Sequence, residues 1–230
     1  MIRENITGFH EVREILLADA VLIIAMSLFL SGGIFQVGSA KFEQTMLFFL
    51  PIAAIGVSLS FILHELMHKF VAQRYGAIAG FRTSYQGLMI TLVTGAFGFL
   101  LGVPGATMIY AHTFTRKENG IVSLAGPLTN FVVFGVALAL FFALAPVQGS
   151  YLAALLSFII FISILLAFFN MLPLYPLDGS KVLAWNKPIY FITLGLIFVL
   201  MVYFTQIPFT SIVFMLLIAG FFSIFYRVRF

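Results

Sequence analysis

The chain has 230 residues, 62% hydrophobic and 9% charged, with a mean hydropathy of +1.14. A soluble domain carries roughly 25% charged residues, so this composition excludes a soluble protein and implies an integral membrane one in contact with a lipid bilayer. The net charge of +4 comes from basic residues in loops between apolar runs, which is a topological pattern and not a nucleic-acid patch, and the absence of Cys excludes disulfides, thiolate metal sites and Cys nucleophiles.

Residues 1–14 are polar and read as a retained cytoplasmic segment or short surface helix, with His10 an ordinary exposed histidine. A first span is expected at 15–35, fading at Gly32-Gly33. A second is expected at 45–71, with Pro51 near its start, where a helix tolerates proline best. Four more are expected at 121–145, 151–172, 189–205 and 208–226, each near the about 20 residues that a crossing helix needs.

The stretch 76–119 holds an apolar run that resembles a further span. Counting sides argues against a crossing. If it stays on one side, the loops 1–14, 69–120, 173–188 and 227–230 share a face and hold every Lys and Arg except Lys41. If it crosses, that bias disappears, so the positive-inside rule favours six spans with both termini cytoplasmic. The content of Thr91, Val93, Thr94, Gly95 and Gly98 suggests a hairpin or re-entrant loop covered by protein. The expectation is therefore an all-α polytopic membrane protein, one domain over 1–230, with a β-like or re-entrant insertion between helices 2 and 3. His112, just beyond, reads as an interfacial histidine.

Chemistry concentrates at His64-Glu65-Leu66-Met67-His68. Residues four apart share a helix face, so two imidazoles can meet one metal ion. Glu65 points about 100° away and can address a water at that metal. With four His and six Glu in the chain, chance predicts roughly 0.002 such HExxH matches. Ionisable groups at membrane depth are expensive and are read as functional.

A catalytic zinc site needs a third protein ligand. The two Asp are Asp19 and Asp178. Asp178 ends Asn170-Met-Leu-Pro-Leu-Tyr-Pro-Leu-Asp178-Gly179, where Pro173 and Pro176 hold the backbone extended and Gly179 permits a sharp turn. In the six-span topology this segment lies on the same side as the histidines; in a seven-span topology it does not. Asp19 is the weaker candidate because nothing around it imposes rigidity. Asn170 is a candidate substrate-carbonyl or oxyanion donor, and Asn130, in Gly126-Pro127-Leu128-Thr129-Asn130, is a second candidate behind it.

Three segments, HELMH at 64–68, AGPLTN at 125–130 and NMLPLYPLDG at 170–179, resemble in that order the site-2 protease family, the intramembrane zinc metalloproteases of peptidase family M50. Leu177 stands where the family commonly has Asn before Asp-Gly. The resemblance covers most of the chain and implies Zn2+ as cofactor, His64, His68 and Asp178 as ligands and Glu65 as general base. It also implies a cell-membrane location and a transmembrane protein as substrate, cleaved after local unwinding. The insertion at 76–119 is longer and more apolar than the family's short sheet, and the length leaves no room for a PDZ domain. An extended substrate is expected to add as a strand near Thr91–Gly95. The alternative class is a divalent-metal transporter or metal-binding membrane protein; the clustering of ionisable groups at one depth argues against it.

Overall fold

The computed structural model describes residues 8–98, 102, 104–111, 113–206, 212–213, 216–217 and 220. His112, most of the expected span 208–226 and the outermost residues of both termini lie outside them. Helix α1 covers Phe9–Leu30, α2 Ala40–Arg74, α3 Tyr85–Ala96, α4 Arg116–Leu144, α5 Tyr151–Asn170, α6 Asp178–Trp185 and α7 Lys187–Thr205. Strands β1 (Ile78–Thr83) and β2 (Gly105–Tyr110) flank α3. Helices α2, α4, α5 and α7 are long and apolar enough to cross a membrane.

Side-chain caps set most helix starts. Ser39, Ser84, Ser150 and Asn186 each accept a hydrogen bond from an N–H in the first turn of α2, α3, α5 and α7. Thr115 and Glu118 form a reciprocal capping box, so α4 begins ahead of the expected Ile121. Three boundaries correct the sequence reading. Helix α1 begins at Phe9, so the acidic residues 11 and 14 ride on the same rod as the apolar run. Ser39 starts α2 early enough that Pro51 lies well inside the helix, which continues past it. Asp178 opens a short helix rather than a turn.

The insertion is a two-stranded sheet with a helix between its strands. Strands β1 and β2 pair antiparallel from Ile78↔Tyr110 to Thr83↔Gly105, so the chain leaves the sheet at Thr83 and rejoins it opposite the same residue. The hairpin expected around Thr91–Gly95 is instead the last part of α3. Its threonines satisfy their hydroxyls within the helix: Thr91 Oγ1 donates to Gly87 O and Thr94 Oγ1 to Ile90 O, both at 2.8 Å. Gly95 serves close packing, since a Cβ there would lie 2.6 Å from the Ala25 carbonyl oxygen of α1. The composition that suggested a strand is the composition of a helix pressed against another helix.

Two apolar clusters make the core. One joins α1, α2, β1 and part of α5 through Leu22, Ile52, Phe61, Phe81 and Phe158. The other joins α4, α5, α6 and α7 through Phe134, Ile164, Phe168, Val182 and Ile197. A buried Ser60 Oγ···Ser163 Oγ hydrogen bond of 2.7 Å links α2 to α5. The site lies where these two clusters meet.

Candidate metal centre

Helix α2 supplies His64 and His68 one turn apart, and the first residue of α6 supplies Asp178. All three are buried. His64 Nε2 and His68 Nε2 lie 3.0 Å apart, and Asp178 Oδ2 lies 3.4 Å from the first and 3.0 Å from the second. A tetrahedral ion with bonds of about 2.0–2.1 Å needs ligand atoms about 3.3–3.4 Å apart. The three atoms approximate one face of that tetrahedron, and they form the one such group of His and acidic residues found among the described residues.

The tautomer also fits. His68 Nδ1 lies 2.8 Å from Val122 O, which can only accept, so Nδ1 carries the proton and a neutral His68 presents a bare Nε2. Burial would by itself raise the Asp178 carboxyl. The positive charge that His68 carries when both ring nitrogens are protonated, the hydrogen bonds His64 and His68 then donate, and Lys181 outweigh it and hold Asp178 well below the usual carboxylate range. The neutral His68 is the form that offers Nε2 to an ion. Lys181 Nζ lies 3.5 Å from Oδ1, turning the other oxygen toward the imidazoles. The donor set, two imidazoles and a carboxylate, suits zinc.

Close backbone approach makes room for this. Gly126 of α4 faces the histidines, and a Cβ on it would lie 2.4 Å from His68 Nε2 and 2.6 Å from His64 Nε2. Gly179 follows the same logic: a Cβ would lie 2.1 Å from Met171 O, so glycine is needed there for contact with the end of α5.

The remaining candidates separate. Glu65 is buried, and its Oε2 accepts from Thr107 N at 3.0 Å and from Thr107 Oγ1 at 2.7 Å. Asp19 lies apart from the group: Ser58 Oγ donates to its Oδ2 at 2.6 Å between α1 and α2. Asn170 Nδ2 donates to Leu166 O of its own helix at 3.0 Å. Asn130, one turn past Gly126, is fully buried and neither Oδ1 nor Nδ2 has a hydrogen-bond partner. His10 is exposed beside Glu14, 3.5 Å away. Sequence reasoning missed Lys181 and Thr107. The i,i+3 spacing of Asp178 and Lys181 was a usable signal once α6 is known to be a helix; Thr107 had none, because strand register places it.

A Methanocaldococcus jannaschii protein provisionally named zinc metalloprotease MJ0611 is 44% identical over 140 residues, 60% of this chain and 72% of that protein. The chain belongs to peptidase family M50, the site-2 protease family. Within this M50 chain, the family's sequence profile matches residues 145–186, which hold Asn170, Asp178 and the short helix after it. Rip2 of Mycobacterium tuberculosis, also provisionally named a zinc metalloprotease, is 33% identical over 141 residues, 56% of this chain and 54% of its own length. YwhC of Bacillus subtilis, named in the same way, is 27% identical over 161 residues, 62% of this chain and 72% of that protein. No solved structure matches. Family membership and four apolar helices make the M50 chain an integral membrane metalloprotease.

Proposed function

We propose that this M50 chain is an intramembrane zinc protease that hydrolyses peptide bonds within transmembrane segments of membrane-protein substrates. The observation that carries the reading is the buried convergence of His64, His68 and Asp178, with Glu65 beside them, on α2 and at the end of the α5–α6 connection. His64 Nε2, His68 Nε2 and Asp178 Oδ2 would hold the metal, which the relatives' names indicate is zinc. Zinc bound there would supply Lewis-acid polarisation of a scissile carbonyl and would lower the pKa of a water toward about 7.

Glu65 would act as the general base toward the attacking water and return its proton to the departing amine. Asn130 is the better-placed amide for a substrate carbonyl, because its donor and acceptor are both unengaged, whereas Asn170 already donates to its own helix. Burying a peptide amide without partners costs free energy, so a ligand group that occupies Asn130 is favoured. A peptide bond inside a helix is shielded, so the substrate unwinds locally before attack. Strand addition loses its support: the segment near Thr91–Gly95 is helical, and the outward N–H groups of Phe81, Thr83 and Thr107 are already taken by Glu11, Glu14 and Glu65.

In this reading the chain is a single domain in the cell membrane with six spans, the four apolar helices plus α1 and the segment 208–226, and with both termini cytoplasmic. The return of the insertion to its starting point at Thr83↔Gly105 supports a re-entrant course.

The test is zinc content in detergent-purified wild type, Glu65→Gln and Asp178→Ala, followed by cleavage of a single-span model peptide carrying a helix-breaking residue. Near-stoichiometric zinc in the first two and little in the third, with cleavage by wild type alone, is the expected result. Zinc indifferent to Asp178, or cleavage surviving Glu65→Gln, overturns the assignment.

A further inference from the structure

Among the described residues, every hydrogen bond to the Glu65 carboxylate comes from Thr107 of β2, and both go to Oε2. The Thr107 hydroxyl also lies 3.2 Å from the Glu65 carbonyl oxygen. A hydroxyl has one proton, and the shorter, charge-assisted contact takes it. No described Lys or Arg pairs with Glu65; the ion pairs among the described residues belong to Glu11, Glu14 and Asp178. One oxygen of this buried carboxylate is therefore held twice, and the other receives no donor from the described residues.

Resting on the reading of Glu65 as the general base, the geometry points to Thr107 as its positioning residue: it fixes Oε2 and so leaves Oε1 as the atom that takes the proton. The position of Thr107 does not depend on its own hydroxyl. Phe81 and Thr107 are register partners, and both N–H groups point out of the sheet, Phe81 N to Glu11 Oε1 at 3.2 Å and Thr107 N to Glu65. Glu11 in turn binds Lys69, the residue after His68 on α2. The contacts thus close a ring, α2 to α1 to β1 to β2 and back to α2, that delivers Thr107 to Glu65. A register slip of one residue would turn the hydroxyl to the opposite face of the sheet. Removing the hydroxyl leaves the ring intact and frees the carboxylate to rotate, and small misplacements of a catalytic group lower turnover more than binding.

The experiment compares zinc-loaded wild type, Thr107→Val, Thr107→Ser and Glu65→Gln on the single-span model peptide. Thr107→Val is expected to lower kcat roughly 10–100-fold with KM and zinc content unchanged, and Thr107→Ser to return within about threefold of wild type. Independently of substrate, the infrared carboxylate band isolated by subtracting the Glu65→Gln spectrum is expected to shift in Thr107→Val and return in Thr107→Ser. If Glu65→Gln still cleaves, the reading of Glu65 as base fails and takes this inference with it. If Glu65→Gln is inactive while Thr107→Val turns over at the wild-type rate or faster, Thr107 is no support for the base and the inference alone falls. It falls equally if Thr107→Ser is as impaired as Thr107→Val, if Thr107→Val loses zinc, or if the carboxylate band does not move.

Discussion

The two edges of the small sheet are closed by the same kind of group, yet in opposite ways. At β1, Glu11 and Glu14 of α1 accept from Phe81 N and Thr83 N at 3.2 and 2.9 Å. Each also faces a cation, Lys69 for Glu11 and Arg82 for Glu14. At β2, the described donors to the Glu65 carboxylate of α2 all belong to Thr107. A carboxylate gripped from both ends is an anchor, with its charge neutralised and its oxygens occupied. One gripped at a single oxygen keeps a lone pair for chemistry. Among the described residues the difference is a cation present at Glu11 and Glu14 and none at Glu65, and in the proposed reading it separates a scaffold edge from a catalytic one.

That contrast can be broken by experiment. Glu65→Gln is expected to lower cleavage of the model peptide by about 10²–10⁴, the usual range for general acid–base catalysis, while thermal stability in detergent stays at the wild-type value. Gly126→Ala comes next: its Cβ would enter the space 2.4 Å from His68 Nε2, so zinc measured by atomic absorption should fall to a small fraction of wild type. Glu11→Gln is expected to behave oppositely to Glu65→Gln. It should cost about 1.5–3 kcal/mol, the range for hydrogen bonds to a charged partner, read as a lowered unfolding midpoint. Zinc-site occupancy should persist below that midpoint. Arg82→Met is the mildest, since its partly exposed ion pair with Glu14 is worth less than about 1 kcal/mol. A Glu11→Gln protein that is fully stable but inactive would erase the distinction between the two edges.

What the sequence revealed follows the range of the interactions involved. His64 and His68 were legible because helical periodicity is local and one turn brings them together. Asp178, more than a hundred residues on, was legible for another reason: charge bias and the need for a third ligand demanded the same topology. The short helix it opens was hidden by the flanking prolines, which read as continued extended chain. Helix α3 was misread because Thr and Val lean toward strands and Gly toward turns only where tertiary contacts do not override them, and here Ala25 and the helix's own carbonyls do. Thr107 was invisible. Its place depends on a register set by Glu11, Glu14 and the length of the excursion between the strands, none of which is encoded near residue 107. Asn130 was ranked behind Asn170 because its neighbours Gly126 and Pro127 suggested packing; Gly126 does pack, against the histidines, and Asn130 lies one turn further along the same helix.

Asp178 and the two histidines come from opposite sides of the molecule's internal division. Helix α2 belongs to the apolar cluster around Ile52 and Phe61, whereas α6 is rooted in the other cluster through Val182. An ion held by all three side chains is therefore a rivet across a seam. Ligand binding confined to the folded state adds to stability in proportion to the logarithm of its concentration, and here that increment falls on the joint between halves. If these three side chains hold the ion as proposed, metal supply would affect how tightly the two clusters are joined as well as whether the chain can react.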